Sequence, residues 1–306
     1  MTIWNLFAYL SLTVFLAAVV TRIVRIARLP VHLRWELYPV PHERGRARYG
    51  GSILEEVDWW TKPRHVDRMG ELAVMIPEIL LLKGVWEHNR KLWWGSFPLH
   101  FGLYLLIGAL GLLAINALLV IFGALYPPII QVMSAMAEIF AWAGYILGCI
   151  GAVIMLWLRL TNRKLKLYNS AAHVFNLLLL GLISGTGLIW IATDNAYAVK
   201  LTDFLVRLMS PGEGMRLGAL GGWHLGLVLF FFLYFPFTHM THAFVKYFTY
   251  HDIRWEDTPN LPGGKLQAKI EQLENLPVTW AAAHIGADGR KNWGELAAES
   301  GKVKKS

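Results

Sequence analysis

Five stretches of the chain stay apolar for about 20 residues or more, roughly 3–22, 93–121, 131–158, 171–193 and 220–247. None of them carries a Lys or Arg before its last two residues. A helix rises about 1.5 Å per residue, so about 20 such residues match the hydrocarbon core of a bilayer, and lipid can be crossed only by helices or closed barrels. The expectation is an all-α integral membrane protein with five transmembrane helices. Composition agrees: of 306 residues 55% are hydrophobic and 16% charged, with a mean hydropathy of +0.41, whereas soluble domains carry about a quarter charged residues. Cys149 is the single cysteine, which excludes a disulfide scaffold and also an iron-sulfur cluster or c-type haem held by this chain alone. The net charge of +8 fits the basic loops of a membrane protein rather than a nucleic-acid partner.

Loop charge sets the expected orientation. The 159–168 loop holds Arg159, Arg163, Lys164 and Lys166 without an acid, the stretch 122–137 carries no charge, and the 194–219 loop is balanced. Arg22, Arg25 and Arg28 follow the first stretch, which reads as a retained helix rather than a cleaved signal. Positive charge therefore alternates as the positive-inside rule demands. This places the amino terminus outside and the carboxyl tail in the cytoplasm, in a multi-pass protein of the inner (cytoplasmic) membrane. Four segments result: a first helix over 1–28, a cytoplasmic or interfacial segment over 29–92, a four-helix core over 93–248 and a cytoplasmic tail over 249–306. Within the second segment, ELAVMIPEILLLKGVWEH is apolar but carries Glu71, Glu78, Lys83 and Glu87 and is interrupted by Pro77; it is expected to lie in the interface. The tail contains an amphipathic run, KLQAKIEQLENL. It is expected to bury no core of its own and to dock a partner through Trp255, Trp280, Ile285, Trp293 and Leu296.

Ionisable groups inside a bilayer are costly and tend to be functional, so the eleven histidines sort by depth. His32, His42, His65, His88, His251 and His284 fall outside the apolar stretches and read as solvated or interfacial. His100, His173, His224, His239 and His242 fall within or at the ends of them. Neutral imidazole is a common axial ligand of haem iron, and a helical bundle can hold the macrocycle between two of them. His224 and His242 are 18 residues apart, five turns of a continuous helix, so both project from one face about 27 Å apart; that suits stacked haems better than a compact metal site. His100 lies about two turns into the second stretch and matches His242 in depth, which makes these two the expected bis-histidine pair. Gly102, Gly108 and Gly111 thin the surface nearby and admit either a flat macrocycle or another helix. Glu138 is the clearest buried acid and a candidate proton-relay group. Tyr145, Trp142, Met133 and Met136 read as packing.

The runs LHFGLYLLIG and HLGLVLFFFLYFPFTHMTH resemble the membrane cytochrome b that forms the gamma subunit of respiratory nitrate reductase. The RWELYPVPHE segment and the WAAAHIGADGRKNWGELA tail look more like the sulfate-reducer branch of that group. The resemblance covers roughly residues 1–250. It implies a haem b protein that exchanges electrons between quinone, menaquinone by analogy, and a cytoplasmic iron-sulfur subunit with a CCG, heterodisulfide-reductase-like domain, with a periplasmic cytochrome c subunit as a further possible partner. His100, His242 and His224 would be haem-iron ligands, giving one haem b and a second. In the nitrate reductase pattern another histidine follows the first by ten residues; here that position is Leu110, so the ligand opposite His224 is missing from its place. His173 and His239 could reach a quinone headgroup or a haem propionate, or serve structure. The competing class is a membrane anchor without redox chemistry, its histidines structural and its tail recruiting a partner.

Overall fold

The computed structural model describes residues 3–29, 51–63, 67–123, 127–210 and 215–300, together with 41, 43, 45, 46, 48, 49 and 212. His32, His42, His65 and most of RWELYPVPHE lie outside the described residues. The elements in chain order are α1 (Ile3–Ala27), α2 (Arg68–Leu80), α3 (Lys83–His88), α4 (Arg90–Ile121), α5 (Pro127–Thr161), α6 (Arg163–Lys166), α7 (Ala171–Thr193), α8 (Tyr197–Met209), α9 (Gly218–Tyr234), α10 (His242–Phe248), α11 (Lys265–Glu274), β1 (Ala281–Ala282), β2 (Ala287–Asp288) and α12 (Trp293–Ser300). Five helices are long and apolar enough to cross a membrane: α1, α4, α5, α7, and α9 continued to Phe237. The protein is thus an all-α integral membrane protein. Local signals set the helix starts, since the Asn89 side chain accepts the Leu92 N–H before α4 and the Ser170 hydroxyl accepts the His173 N–H before α7. The interfacial helix expected over 71–88 is divided into α2 and α3. Pro77 cannot supply an N–H within α2, and Leu82 takes a left-handed conformation at φ 53.

The chain forms two compact units, one of residues 1–18 and 72–238, the other of 19–71 and 239–306. In the first, α4 packs closely along α5. A β-carbon at Gly102 would meet the Gly144 carbonyl at 2.7 Å, and one at Gly151 would stand 2.3 Å from the Leu99 nitrogen. The thin surface at Gly102 therefore admits a helix, not a macrocycle. Because the obstacle at Gly151 is backbone, it cannot rotate away. Gly151→Leu is expected to cost at least the 1–3 kcal/mol typical of overpacking, read as a lower unfolding temperature in detergent; an unchanged temperature would contradict this packing.

The balanced loop after α7 contains an amphipathic helix that the charge count gave no reason to expect. Tyr197 and Ala198 at the start of α8 join Ala109 and Leu113 of α4, Ala137, Ala141 and Tyr145 of α5, and Trp190 and Ile191 of α7 in one buried cluster. At its far end, α1 supplies donors for carbonyls that a helix terminus leaves unpaired: Asn5 Nδ2 donates to the Arg207 carbonyl at 3.1 Å, and the Tyr9 hydroxyl donates to that of Leu208. Ala8 packs with Leu225 and Leu229 of α9.

The continuous fifth helix expected over 220–247 is not formed. The α-helix stops at Tyr234, Phe235–Phe237 makes a 3-10 turn around Pro236, and Thr238 is extended at φ −110, ψ 171. Proline removes a hydrogen bond and collides with the preceding turn. The five-turn argument that put His224 and His242 on one helix face therefore loses its premise.

In the second unit, Trp255 is buried against Tyr250 and His251. Val278, Ala287 and Leu296 form a buried cluster with Ile285 alongside, closed by the β1–β2 hairpin and α12. The tail thus buries a small core after all, because the turn at Gly286 and Gly289, both with positive φ, folds the strand pair back beneath α12. Leu296 belongs to that interior, whereas Trp255 is buried apart from it, on Tyr250 and His251. Trp280 and Trp293 stay exposed at 47% and 45%, edge to face with ring centroids 6.3 Å apart.

Candidate functional site

The most closely assembled polar group in the first unit surrounds His224, which is 4% exposed. Its Nδ1 lies 3.1 Å from the Thr186 hydroxyl and its Nε2 lies 3.0 Å from the Tyr145 hydroxyl, which in turn lies 2.7 Å from that of Tyr197. The proton positions follow from the acceptors. Thr186 donates to the Leu182 carbonyl at 2.8 Å, so its oxygen accepts from Nδ1–H. The unprotonated Nε2 accepts from Tyr145, and the Tyr145 oxygen accepts from Tyr197. Burial pushes the Tyr197 phenol up to about 12, the Glu138 carboxylate adding to the rise, so this donor stays protonated. Glu138 itself is half-buried on α5. The Trp190 and Tyr145 rings flank the imidazole, with centroids 5.7 Å and 5.4 Å away.

This neighbourhood does not fit an iron-bound imidazole at His224, because the Tyr145 hydroxyl occupies the position the iron would need. A β-carbon at Gly187 would lie 2.3 Å from the Tyr145 ring and 2.8 Å from His224 Cε1. Sequence reading treated Tyr145 as packing and passed over Thr186 and Tyr197. A signal was present, since a phenol buried in an apolar helix needs a partner for its hydroxyl.

His100 presents different chemistry. On α4, half-buried, its Nδ1 lies 2.7 Å from the Ser96 carbonyl, one turn earlier. A carbonyl only accepts, so Nδ1 carries the proton and Nε2 has the lone pair that ligates iron. His242, at the start of α10 in the second unit, has the same arrangement, with Nδ1 3.0 Å from the His239 carbonyl. Both residues therefore fit an axial-ligand role. His239 is exposed in the 3-10 turn before α10. His173 is the third residue of α7 and closes a reciprocal cap with Ser170, whose backbone N–H donates to His173 Nδ1 at 3.2 Å. Its neutral ring then carries the proton on Nε2, and the nitrogen with the lone pair, Nδ1, faces the Ser170 N–H. Among the described residues no three His, Cys, Asp or Glu side chains converge as a bare metal ion would require.

A family model described as nitrate reductase gamma subunit matches residues 85–256. The chain belongs to that family. Nitrate reductase gamma proteins are membrane cytochromes b, haem b proteins that transfer electrons and work with other respiratory subunits. The matched range holds four of the five spans and all of His100, Glu138, His173, His224, His239 and His242. It begins at 85, not near residue 1, so α1 lies outside it, as do RWELYPVPHE and the 280–297 tail. No curated protein and no solved structure matches the chain.

Beside the site, Asp194 ends α7. It accepts from Trp190 Nε1 at 3.1 Å, the Ala196 N–H at 3.0 Å and Lys200 Nζ at 2.5 Å. The bond from Lys200 holds its carboxyl below the usual carboxylate range. A depressed folded-state pKa gives stability that is present above the unfolded value, about 3.9, and lost as pH falls toward the folded value. Between pH 6 and 3, the wild type is expected to lose more thermal stability than Asp194→Asn; parallel pH curves would show that the cap contributes nothing.

Proposed function

We propose that this gamma-family cytochrome b exchanges electrons between membrane quinone, menaquinone by analogy, and a cytoplasmic iron-sulfur oxidoreductase, with His100 and His242 as axial ligands of one haem b. The observation that supports the assignment is shared by the two residues: each imidazole holds Nδ1 within hydrogen-bond reach of a backbone carbonyl of its own turn, which puts the proton on Nδ1 and the lone pair on Nε2. Bound haem supplies one-electron chemistry, and the chain's residues supply its placement and surroundings. Ser96 fixes the His100 ring. His173, at the start of α7, would stand at a quinone headgroup or a haem propionate, and Glu138 is an acid suited to exchanging quinone protons. His239, exposed beside His242, can assist either ligand or substrate.

On the charge reading, the amino terminus is outside and the tail lies in the cytoplasm. The first helix, the interfacial segment, the core and the tail then act in sequence as anchor, membrane-surface element, haem carrier and docking arm. Trp280 and Trp293 are the tail's exposed anchors for the iron-sulfur subunit, for which the sulfate-reducer type with a heterodisulfide-reductase-like domain is the candidate; a periplasmic cytochrome c subunit would be a separate contact. The test is to reconstitute the purified protein in liposomes with a reduced menaquinone analogue. Quinol is expected to reduce the haem band of wild type within the mixing experiment and to raise no such band in His100→Ala; a wild-type band that dithionite reduces but quinol does not would refute the quinone assignment.

A further inference from the structure

The geometry points to a chain that carries a single haem b, with His224 built into a buried polar clamp by Tyr197, Tyr145 and Thr186 instead of ligating a second haem. This inference rests on the assignment of His100 and His242 to the first haem. The clamp is closed at every atom. Its four hydrogen bonds run in one direction, from Tyr197 to Tyr145, to His224, to Thr186 and to the Leu182 carbonyl. No donor or acceptor along that line is left for iron. A network satisfied throughout rigidifies the core that holds it, whereas breaking one member leaves the others buried and unpaired. The four side chains come from α8, α5, α9 and α7, so this one line of bonds joins four helices and pins α8 onto the bundle.

Two further observations agree. Gly187 lies flush against both rings, where even a methyl group would collide, so no flat ring can enter there without displacing α7. Leu110, at the position where an opposing histidine would stand, is 40% exposed and lies outside the buried cluster that contains its neighbours Ala109 and Leu113. Along α5 the clamp is also close in depth to His100. Tyr145 precedes Gly151 by six residues on α5, about 9 Å, and Gly151 packs on Leu99 beside His100. A chain with one centre cannot pass electrons between haems across the bilayer on its own.

The test is haem stoichiometry by pyridine haemochrome together with a redox titration of the purified full-length protein. The inference expects one haem per chain and one midpoint potential in wild type, and the same count and potential in His224→Phe and Tyr145→Phe. Two haems per wild-type chain, or loss of one spectral component in His224→Phe, would overturn it while leaving the His100 and His242 assignment intact. No haem in wild type would instead overturn that assignment and this inference with it. A thermal double-variant comparison tests the clamp directly: the Tyr145→Phe, His224→Phe protein should unfold close to the worse single variant, because the two residues share one interaction. Additive losses would overturn the clamp.

Discussion

Replacing His100 with alanine is expected to remove essentially all of the reduced b-type absorption of the purified protein, and His242→Ala is expected to remove the same band. The double variant should match either single variant, because the proposal assigns both imidazoles to one iron. Fold should survive each change. Quinol-linked electron transfer should fall to background with the band. Added imidazole offers a check on role, because a free ligand can restore the spectrum of a protein that lost a ligand but not of one that lost its fold. Full-intensity spectra in both variants would remove these residues from the haem site.

The second large effect is expected from deleting residues 260–306. This removes α11, the β1–β2 hairpin and α12, with the small core of Val278, Ala287 and Leu296, and retains Trp255 on Tyr250. Haem content per chain should be unchanged, while recovery of the iron-sulfur subunit on purification from the native membrane falls at least tenfold. Interface energy concentrates in a few aromatic anchors, so Trp280→Ala with Trp293→Ala should reproduce much of that loss without removing the core. Undiminished co-purification in both proteins would sink the docking role, and loss of haem with the tail would show that the tail supports the site.

The membrane spans were legible in the sequence because their signal is local: α7 begins and ends where its apolar run does, at Ala171 and Thr193, and α1, α4 and α5 extend theirs by a few residues. What was not legible depends on contacts between distant residues. By its charges the α8 helix reads as a balanced polar loop, and its apolar side is explained by Ala109, Ala137 and Trp190, residues far away in sequence. The break after Tyr234 was signalled by Pro236, yet an 18-residue histidine spacing made a continuous helix attractive. The tail aromatics differ in burial, with Trp255 inward on Tyr250 and Trp280 outward. For the site, residue type offers His100, His242 and His224 alike, whereas the hydroxyls of Tyr145 and Thr186 beside His224 come from helices distant in sequence and are visible only in the fold.

The most direct measurement of the central claim is the low-temperature electron paramagnetic resonance spectrum of the oxidised, purified protein. Two neutral imidazoles on one iron predict a single low-spin ferric signal in wild type, replaced by a high-spin signal or lost in His100→Ala and in His242→Ala. A wild-type signal that is high-spin, or a low-spin signal that persists unchanged in either variant, would contradict axial ligation by this pair.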